Sequence, residues 1–314
     1  MGKIAYIFPG QGSQYSGMGK DFYDAYDEAK RVYDLANDST DVDVKEICFG
    51  EDEKINQTEY TQIAMFTTEM AILEVIKSKG LKPDICAGLS LGEYGAVYLA
   101  GVLPLDKLMN LVRKRGIYMQ DAYPVGGAMT AVLGLEAEIV NKVCDETEGI
   151  VKIANYNCPG QLVISGEETA VAKASEKLSE VGAKRCIPLK VSGPFHTELL
   201  KAASEKLTEE MISLDFSDPT IPYYSNVEAT LVEKADGIKE MLAAQMISSV
   251  CFWQSIEKMI DDGVDTFIEI GPGKSLSGFV KRISKEVKVI NIDKVEDLEK
   301  IEEHSCNSEI TPIE

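Results

Sequence analysis

Short apolar runs alternate with longer stretches of helical period along most of the chain. Residues 3–8, KIAYIF, form an apolar run that stops at PGQGSQ, which predicts a buried strand entering a glycine-rich turn. An acidic helix is expected next. Residues 62–78, QIAMFTTEMAILEVIKS, have helical periodicity, and Gly80 and Pro83 punctuate the chain before the strand that opens ICAGLSLGEYG, residues 85–95. Near the C-terminal end IPYYSN, TFIEIGPG and KVINI are further strands among helical stretches. Strands alternating with helices predict a parallel α/β sheet.

Between Gly127 and Ser192 the rhythm changes. Apolar AMTAVLG, a helical stretch at 136–147, apolar IVKIAN and QLVIS, a helical stretch at 167–181 and then RCIPLK give the order βαββαβ. That order is the split βαβ, ferredoxin-like unit, and about 65 residues suit a small domain inserted in a larger one. The expected fold class is therefore α/β: a large α/β-hydrolase-like domain with a parallel sheet from residues 1–126 and 193–293, and a ferredoxin-like subdomain at 127–192. Residues 294–314, with seven acids against two lysines, read as a solvated acidic tail.

Composition narrows the function classes. The 314 residues are 45% hydrophobic, enough for one large core or a large domain carrying a smaller one. A formal net charge of -20 argues against a general nucleic-acid binder, which needs a basic surface to displace counterions. Seven cysteines without C-x-x-C spacing suggest neither a disulfide framework nor a zinc site, so no metal is expected. The apolar run before Pro9 is too short for a signal peptide, and residues 85–105, the nearest approach to a membrane span, contain Glu93 among Gly, Ala and Ser. A cytoplasmic protein without membrane association is expected.

Ser90 stands between Gly88 and Gly92 in a G-x-S-x-G frame. In a nucleophile elbow the serine occupies a strained strand-to-helix turn, and small residues two before and two after it relieve crowding. A glycine-rich turn without chemistry shares the frame, but the apolar run before it and the helical run after it favour a nucleophile. Such a serine needs a base, and the chain has two histidines. His304 lies in the acidic tail, which leaves His196, in VSGPFHTELL, on a loop before a helix; a structural histidine is the alternative. No Asp or Glu stands out as a third member, and a backbone carbonyl can orient an imidazole instead.

In PLDKLMNLVRKRGIYMQDA, Leu108, Val112, Arg115 and Met119 fall at i, i+4, i+7 and i+11, so Arg115 shares the inward face while Arg113 and Lys114 point elsewhere. A guanidinium on an apolar face must find an anion. Two partners remain open: an internal carboxylate, or a substrate carboxylate held bidentately. The FPGQGSQ stretch fits neither G-x-G-x-x-G nor a P-loop, but its turn can aim the N–H of Gln11 at an oxyanion beside the N–H of Leu91.

Taken together, FPGQGSQ at 8–14, GLSLGEY at 88–94, RG at 115–116, NYNCPGQLVISG at 155–166, GPFHT at 193–197, Gln245 and EIGPG at 269–273 resemble the malonyl-CoA:acyl carrier protein transacylases, acyltransferases that load malonyl units for fatty acid synthesis. The resemblance spans residues 3 to about 290. It implies an acyl-enzyme on Ser90, His196 as the base, and the Gln245 carbonyl as the group orienting that imidazole. Arg115 would hold the malonyl carboxylate, Gln11 and Leu91 would form the oxyanion hole, and Asn155 and Asn157 would line the cleft. Leu89 departs from the histidine often found in the family. Phe195 looks like the bulky residue that excludes a methyl branch, with an ordinary core phenylalanine as the alternative.

The expected reaction is malonyl transfer from malonyl-CoA to the phosphopantetheine thiol of acyl carrier protein, with no cofactor. A serine hydrolase would share the elbow without needing Arg115 at an acyl pocket, and a non-catalytic thioester-binding module would not form an acyl-enzyme. Carrier proteins are usually acidic, so a chain at -20 needs a local basic patch to meet one. Lys184, Arg185 and Lys190 form one candidate cluster, and Lys281, Arg282, Lys285 and Lys288 the other.

Overall fold

The structure, a computed structural model, describes residues 2–51, 53–191 and 193–301. Ten strands occur in them: β1 Lys3–Phe8, β2 Ile85–Gly88, β3 Gly127–Leu133, β4 Val151–Cys158, β5 Gln161–Glu167, β6 Arg185–Pro188, β7 Tyr223–Ser225, β8 Thr230–Val232, β9 Val264–Ile270 and β10 Lys288–Ile292. Six of them build one sheet in the order β10-β9-β1-β2-β7-β8, and four build a second in the order β4-β5-β3-β6.

In the larger sheet every pairing is parallel except β7 with β8. The apolar run at the start of the chain becomes its central strand because β1 is covered on both faces. Tyr6 and Phe8 join one hydrophobic cluster while Ala5 and Ile7 join another, as the two-residue side-chain period requires. On one face the helix Thr58–Ser78 is buried along most of its length and packs against Leu105–Ala122 and Asp27–Ser39. This packing places Gln62 opposite Arg115. The antiparallel edge strand β8 was not expected. Its three residues follow Glu228 and Ala229, both at positive φ, so a tight reversal takes the place of a helical crossover.

The second sheet is antiparallel throughout. The helices Ala137–Asp145 and Glu168–Glu180 cover one of its faces, where Val140, Val143, Val171 and Leu178 pack on Val132, Ile153 and Ile164. Its other face, with Met129, Ala131 and Val163, turns toward the large sheet. Edge strand β4 is also stitched to the segment after Gln245. Val250 N donates to Ala154 O (2.8 Å), Tyr156 N to Val250 O (2.9 Å), and Ser249 Oγ to Ile153 O (2.6 Å).

EIGPG carries no chemistry of its own but shapes a terminus. Gly271 and Gly273 have φ of 138° and 78°, and buried Glu269 accepts from the N–H groups of Leu276 (3.0 Å) and Ser277 (2.8 Å), capping the helix Ser275–Ile283. The expected solvated tail does not hold for residues 294–301. Leu298 and Ile301 are buried in the main cluster, and Val295 N donates to Asp21 Oδ2, so the acids of 294–301 ride on an apolar anchor. Residues 302–314, with His304, lie outside the described residues. Among the described residues no helix is long and apolar enough to cross a membrane, and no group of three or more His, Cys, Asp and Glu could hold a metal ion.

Candidate active site

Ser90 sits where β2 turns into the helix Gly92–Leu99, at φ 55°. A non-glycine residue held there costs about 1–3 kcal/mol and needs its surroundings to impose it. Gly88 and Gly92 make the turn possible: a Cβ on Gly88 would overlap the carbonyl of Gly92, and one on Gly92 would overlap the carbonyl of Phe8. Asn226, just after β7, clamps the turn from the side. Its Oδ1 accepts from Ser90 N (2.6 Å) and its Nδ2 donates to Gly88 O (2.6 Å).

His196 comes from the loop before the Lys201–Ile212 helix and is itself at φ 63°. Its Nε2 lies 2.8 Å from Ser90 Oγ and its Nδ1 2.7 Å from the main-chain carbonyl oxygen of Gln245. That carbonyl can only accept, so Nδ1 carries the proton and Nε2 is left to accept from the serine. Burial, with the positive charge of Arg115 as a smaller cause, pulls the imidazole down to about 4 despite the Gln245 hydrogen bond. At neutral pH it is an unprotonated base.

Arg115 is fully buried, with its guanidinium 5.3 Å from the centre of the Tyr94 ring. Nη1 donates to Gln62 Oε1 (2.7 Å), and Nη2 to Gln245 Oε1 (2.8 Å) and to Ser90 Oγ (3.1 Å). All three are neutral oxygens, and Nε has no partner. The internal carboxylate left open by the sequence is not there: among the described residues no acid pairs with this guanidinium. Two residues earlier, Arg113 has the ordinary solution, paired with Asp41 and Glu59.

These groups open into a cleft of ≈ 830 Å³ between the two sheets. Gln11, Leu91, Asn155, Asn157 and Phe195 all line it, with Leu89 beside Ser90. Gln11 follows β1 and Leu91 precedes the Gly92–Leu99 helix, so the cleft lies at the carboxyl ends of adjacent parallel strands, the usual place for a ligand in an open α/β sheet. Among the described residues neither the Gln11 nor the Leu91 N–H has a protein acceptor. Phe195 is 5% exposed and belongs to the core cluster while also facing the cleft. Lys190 stands at the cleft, Lys184, Arg185 and Lys281 are exposed nearby in sequence, and Arg282 donates to Gln161 Oε1, another lining residue (2.6 Å).

Sequence reasoning missed Gln62, Glu93 and Asn226. Glu93 is fully buried, and its Oε2 accepts from Gln245 Nε2 (2.6 Å) and Asn226 N (3.2 Å). Burial pushes its carboxyl up to about 7, against the hydrogen bonds from Gln245 and Asn226 that pull it back. The only signal available was an acid inside an otherwise apolar stretch.

A strained serine, a neutral imidazole, two free amides and a buried guanidinium can form an ester and release it again. The family model described as the acyl transferase domain matches residues 5–300. The chain belongs to the acyl transferase family. This acyl transferase is 48% identical over 305 residues to the malonyl CoA-acyl carrier protein transacylase of Bacillus subtilis (strain 168), covering 95% of this chain and 96% of that one. A crystal structure of the malonyl CoA-acyl carrier protein transacylase from Clostridium perfringens superposes with a TM-score of 0.94 at 44% identity, over 98% of both chains. A malonyl-transacylase in complex with its type II PKS acyl-carrier protein matches with a TM-score of 0.93 at 36% identity, over 96% of this acyl transferase and 99% of the other chain.

Proposed function

We propose that this acyl transferase moves a malonyl group from malonyl-CoA to the phosphopantetheine thiol of acyl carrier protein, through an acyl-enzyme on Ser90, in fatty acid biosynthesis. The observation that carries the reading is the buried Arg115, whose Nη2 reaches the serine hydroxyl while, among the described residues, no acid is ion-paired with it. A buried cation left with neutral partners favours a carboxylated acyl group at the serine. A simple serine esterase gains nothing from it. The relatives' names, malonyl CoA-acyl carrier protein transacylase, agree.

In the first half-reaction Ser90 Oγ attacks the thioester carbonyl carbon as its proton passes to His196 Nε2. The developing oxyanion takes the N–H groups of Gln11 and Leu91. The C–S bond then breaks, and His196 returns the proton to the sulfur of coenzyme A. In the second half-reaction the carrier thiol gives its proton to His196 and attacks the ester carbonyl, and Ser90 leaves with the proton restored. The Gln245 carbonyl keeps the imidazole in one tautomer throughout. Each proton has a protein partner, so the steps call for neither metal nor cofactor. Arg115 holds the distal carboxylate while Phe195 limits the width of the pocket, and Asn155 and Asn157 line the same cleft.

The same reading treats residues 1–126 and 193–293 as an α/β-hydrolase-like catalytic domain and residues 127–192 as a ferredoxin-like subdomain, in a cytoplasmic enzyme. The small sheet's strand order and its two helices on one face support that description. The carrier docks at two basic clusters: Lys184, Arg185 and Lys190, of which Lys190 lines the cleft, and Lys281 and Arg282, of which Arg282 bonds the lining residue Gln161. Intact mass after mixing with malonyl-CoA tests the core of the proposal. A single malonyl adduct on the wild type that is lost in Ser90→Ala is expected; an adduct retained in Ser90→Ala refutes the nucleophile.

A further inference from the structure

The Gln245 side-chain amide faces two groups with opposite demands. On one side the Arg115 guanidinium, donor only, stands 2.8 Å from Oε1; on the other the Glu93 carboxylate oxygen stands 2.6 Å from Nε2. Nε2 also reaches Ser90 O at 2.9 Å. Turned over, the amide would aim its NH₂ at the guanidinium and its oxygen at the carboxylate, losing both bonds and setting like against like. Glu93 Oε2 is fixed in turn by Asn226 N, and Asn226 is the residue that clamps the strained serine turn. Its own helix brings no cation to Glu93, whose nearest positive charge is Arg115, reached through Gln245.

We infer that Glu93 is a positioning residue for acyl selectivity: by fixing the Gln245 amide it aims the Arg115 guanidinium at the distal carboxylate of the acyl group. The inference rests on the proposal that Arg115 receives that carboxylate. Glu93 touches neither substrate nor the serine hydroxyl, so its effect passes through Gln245. It serves carboxylated acyl groups more than plain ones, because an acetyl group has nothing for Arg115 to hold. The carboxyl, raised to about 7 by burial, still offers an acceptor oxygen in either protonation state.

The test is the ratio of kcat/KM for malonyl-CoA over acetyl-CoA in the full-length enzyme, for Glu93→Gln, Glu93→Met and Arg115→Ala. Glu93→Gln keeps an acceptor at the same reach and should keep the ratio within about an order of magnitude. Glu93→Met keeps length without a good acceptor and should lower the ratio by about 10²-fold, the loss expected when a clamp is misplaced by an ångström. Should Glu93→Met not fold, Gln245→Met removes the amide through which Glu93 acts, together with the acceptor of Arg115 Nη2, and keeps the main-chain carbonyl that serves His196; a fall in ratio at least as large is expected, and an unchanged ratio there overturns the role. Malonyl and acetyl rates falling in parallel, or an unchanged ratio in the methionine variants, overturns the positioning role. If the ratio in Arg115→Ala is also unchanged, the reading of Arg115 itself has failed; if that ratio collapses while the methionine variants hold, only the role of Glu93 has.

Discussion

Replacing Arg115 by alanine separates the two substrates that a malonyl site must tell apart. The substitution removes a fully buried guanidinium and leaves the side-chain oxygens of Gln62 and Gln245 without their donors, at about 1–3 kcal/mol each. That cost falls on every acyl group alike and cancels in a ratio. The loss peculiar to malonyl is the charge-assisted pair with its carboxylate, worth about 2–5 kcal/mol when a buried partner is truncated. At 1.36 kcal/mol per decade, the malonyl-to-acetyl ratio of kcat/KM should fall about 30- to 5,000-fold. Arg115→Lys should recover part of it, since an ammonium restores the charge but not the two-pronged geometry. The assay is initial-rate release of coenzyme A from each thioester in the presence of carrier protein. Equal losses for malonyl-CoA and acetyl-CoA would show that Arg115 only holds its own helix to those of Gln62 and Gln245.

Three further outcomes follow from the same geometry. With His196 lowered to about 4, a base that works unprotonated keeps acylation by acetyl-CoA flat from neutral pH down to about 5, with loss only near pH 4 and below. The limb for bound malonyl should lie higher, because its carboxylate offsets the Arg115 charge that helps depress the imidazole; both limbs near 6.5, an ordinary imidazole value, would contradict this. Phe195→Ala should raise kcat/KM for methylmalonyl-CoA relative to malonyl-CoA by about tenfold, roughly one methyl's discrimination, and an unchanged ratio would make Phe195 a core residue only. Arg185→Glu and Arg282→Glu should each lower carrier-dependent kcat/KM, and added salt should lower the wild type's; a flat salt series with unaffected variants would leave docking to apolar contacts.

The residues proposed to act on the acyl group were legible because each breaks a pattern. Ser90 lies between obligatory glycines, His196 is one of two histidines, and Arg115 interrupts an apolar helical face. The residues that hold them were not legible. Gln62, Glu93 and Asn226 reach the site from three separate elements, with partners 53, 152 and 136 positions away, and a buried amide on a packed helix leaves no periodic trace. Gln245 came from family likeness alone, since a main-chain carbonyl has no sequence signature. The alternation of apolar runs marked the strands of both sheets except β8, whose three residues depend on a reversal at Glu228 and Ala229. The anchoring of residues 294–301 was hidden for a related reason: Leu298 and Ile301 are only two apolar side chains among acids, and what decides their burial is the groove they meet.

The stitch between β4 and residues 249–250 bears on any attempt to exchange acyl specificity by swapping modules. Residues 127–192 present themselves as a cassette, with one helical face closed on itself and a single continuous stretch of chain between β2 and β7 of the large sheet. Yet their edge strand is bonded to the stretch that begins four residues after Gln245, whose carbonyl accepts from His196 Nδ1. A donor cassette with a differently curved edge would therefore tug on the imidazole while leaving Ser90 and Arg115 unchanged. Crossover points that carry residues 245–251 along with the cassette keep both partners of that seam from one parent.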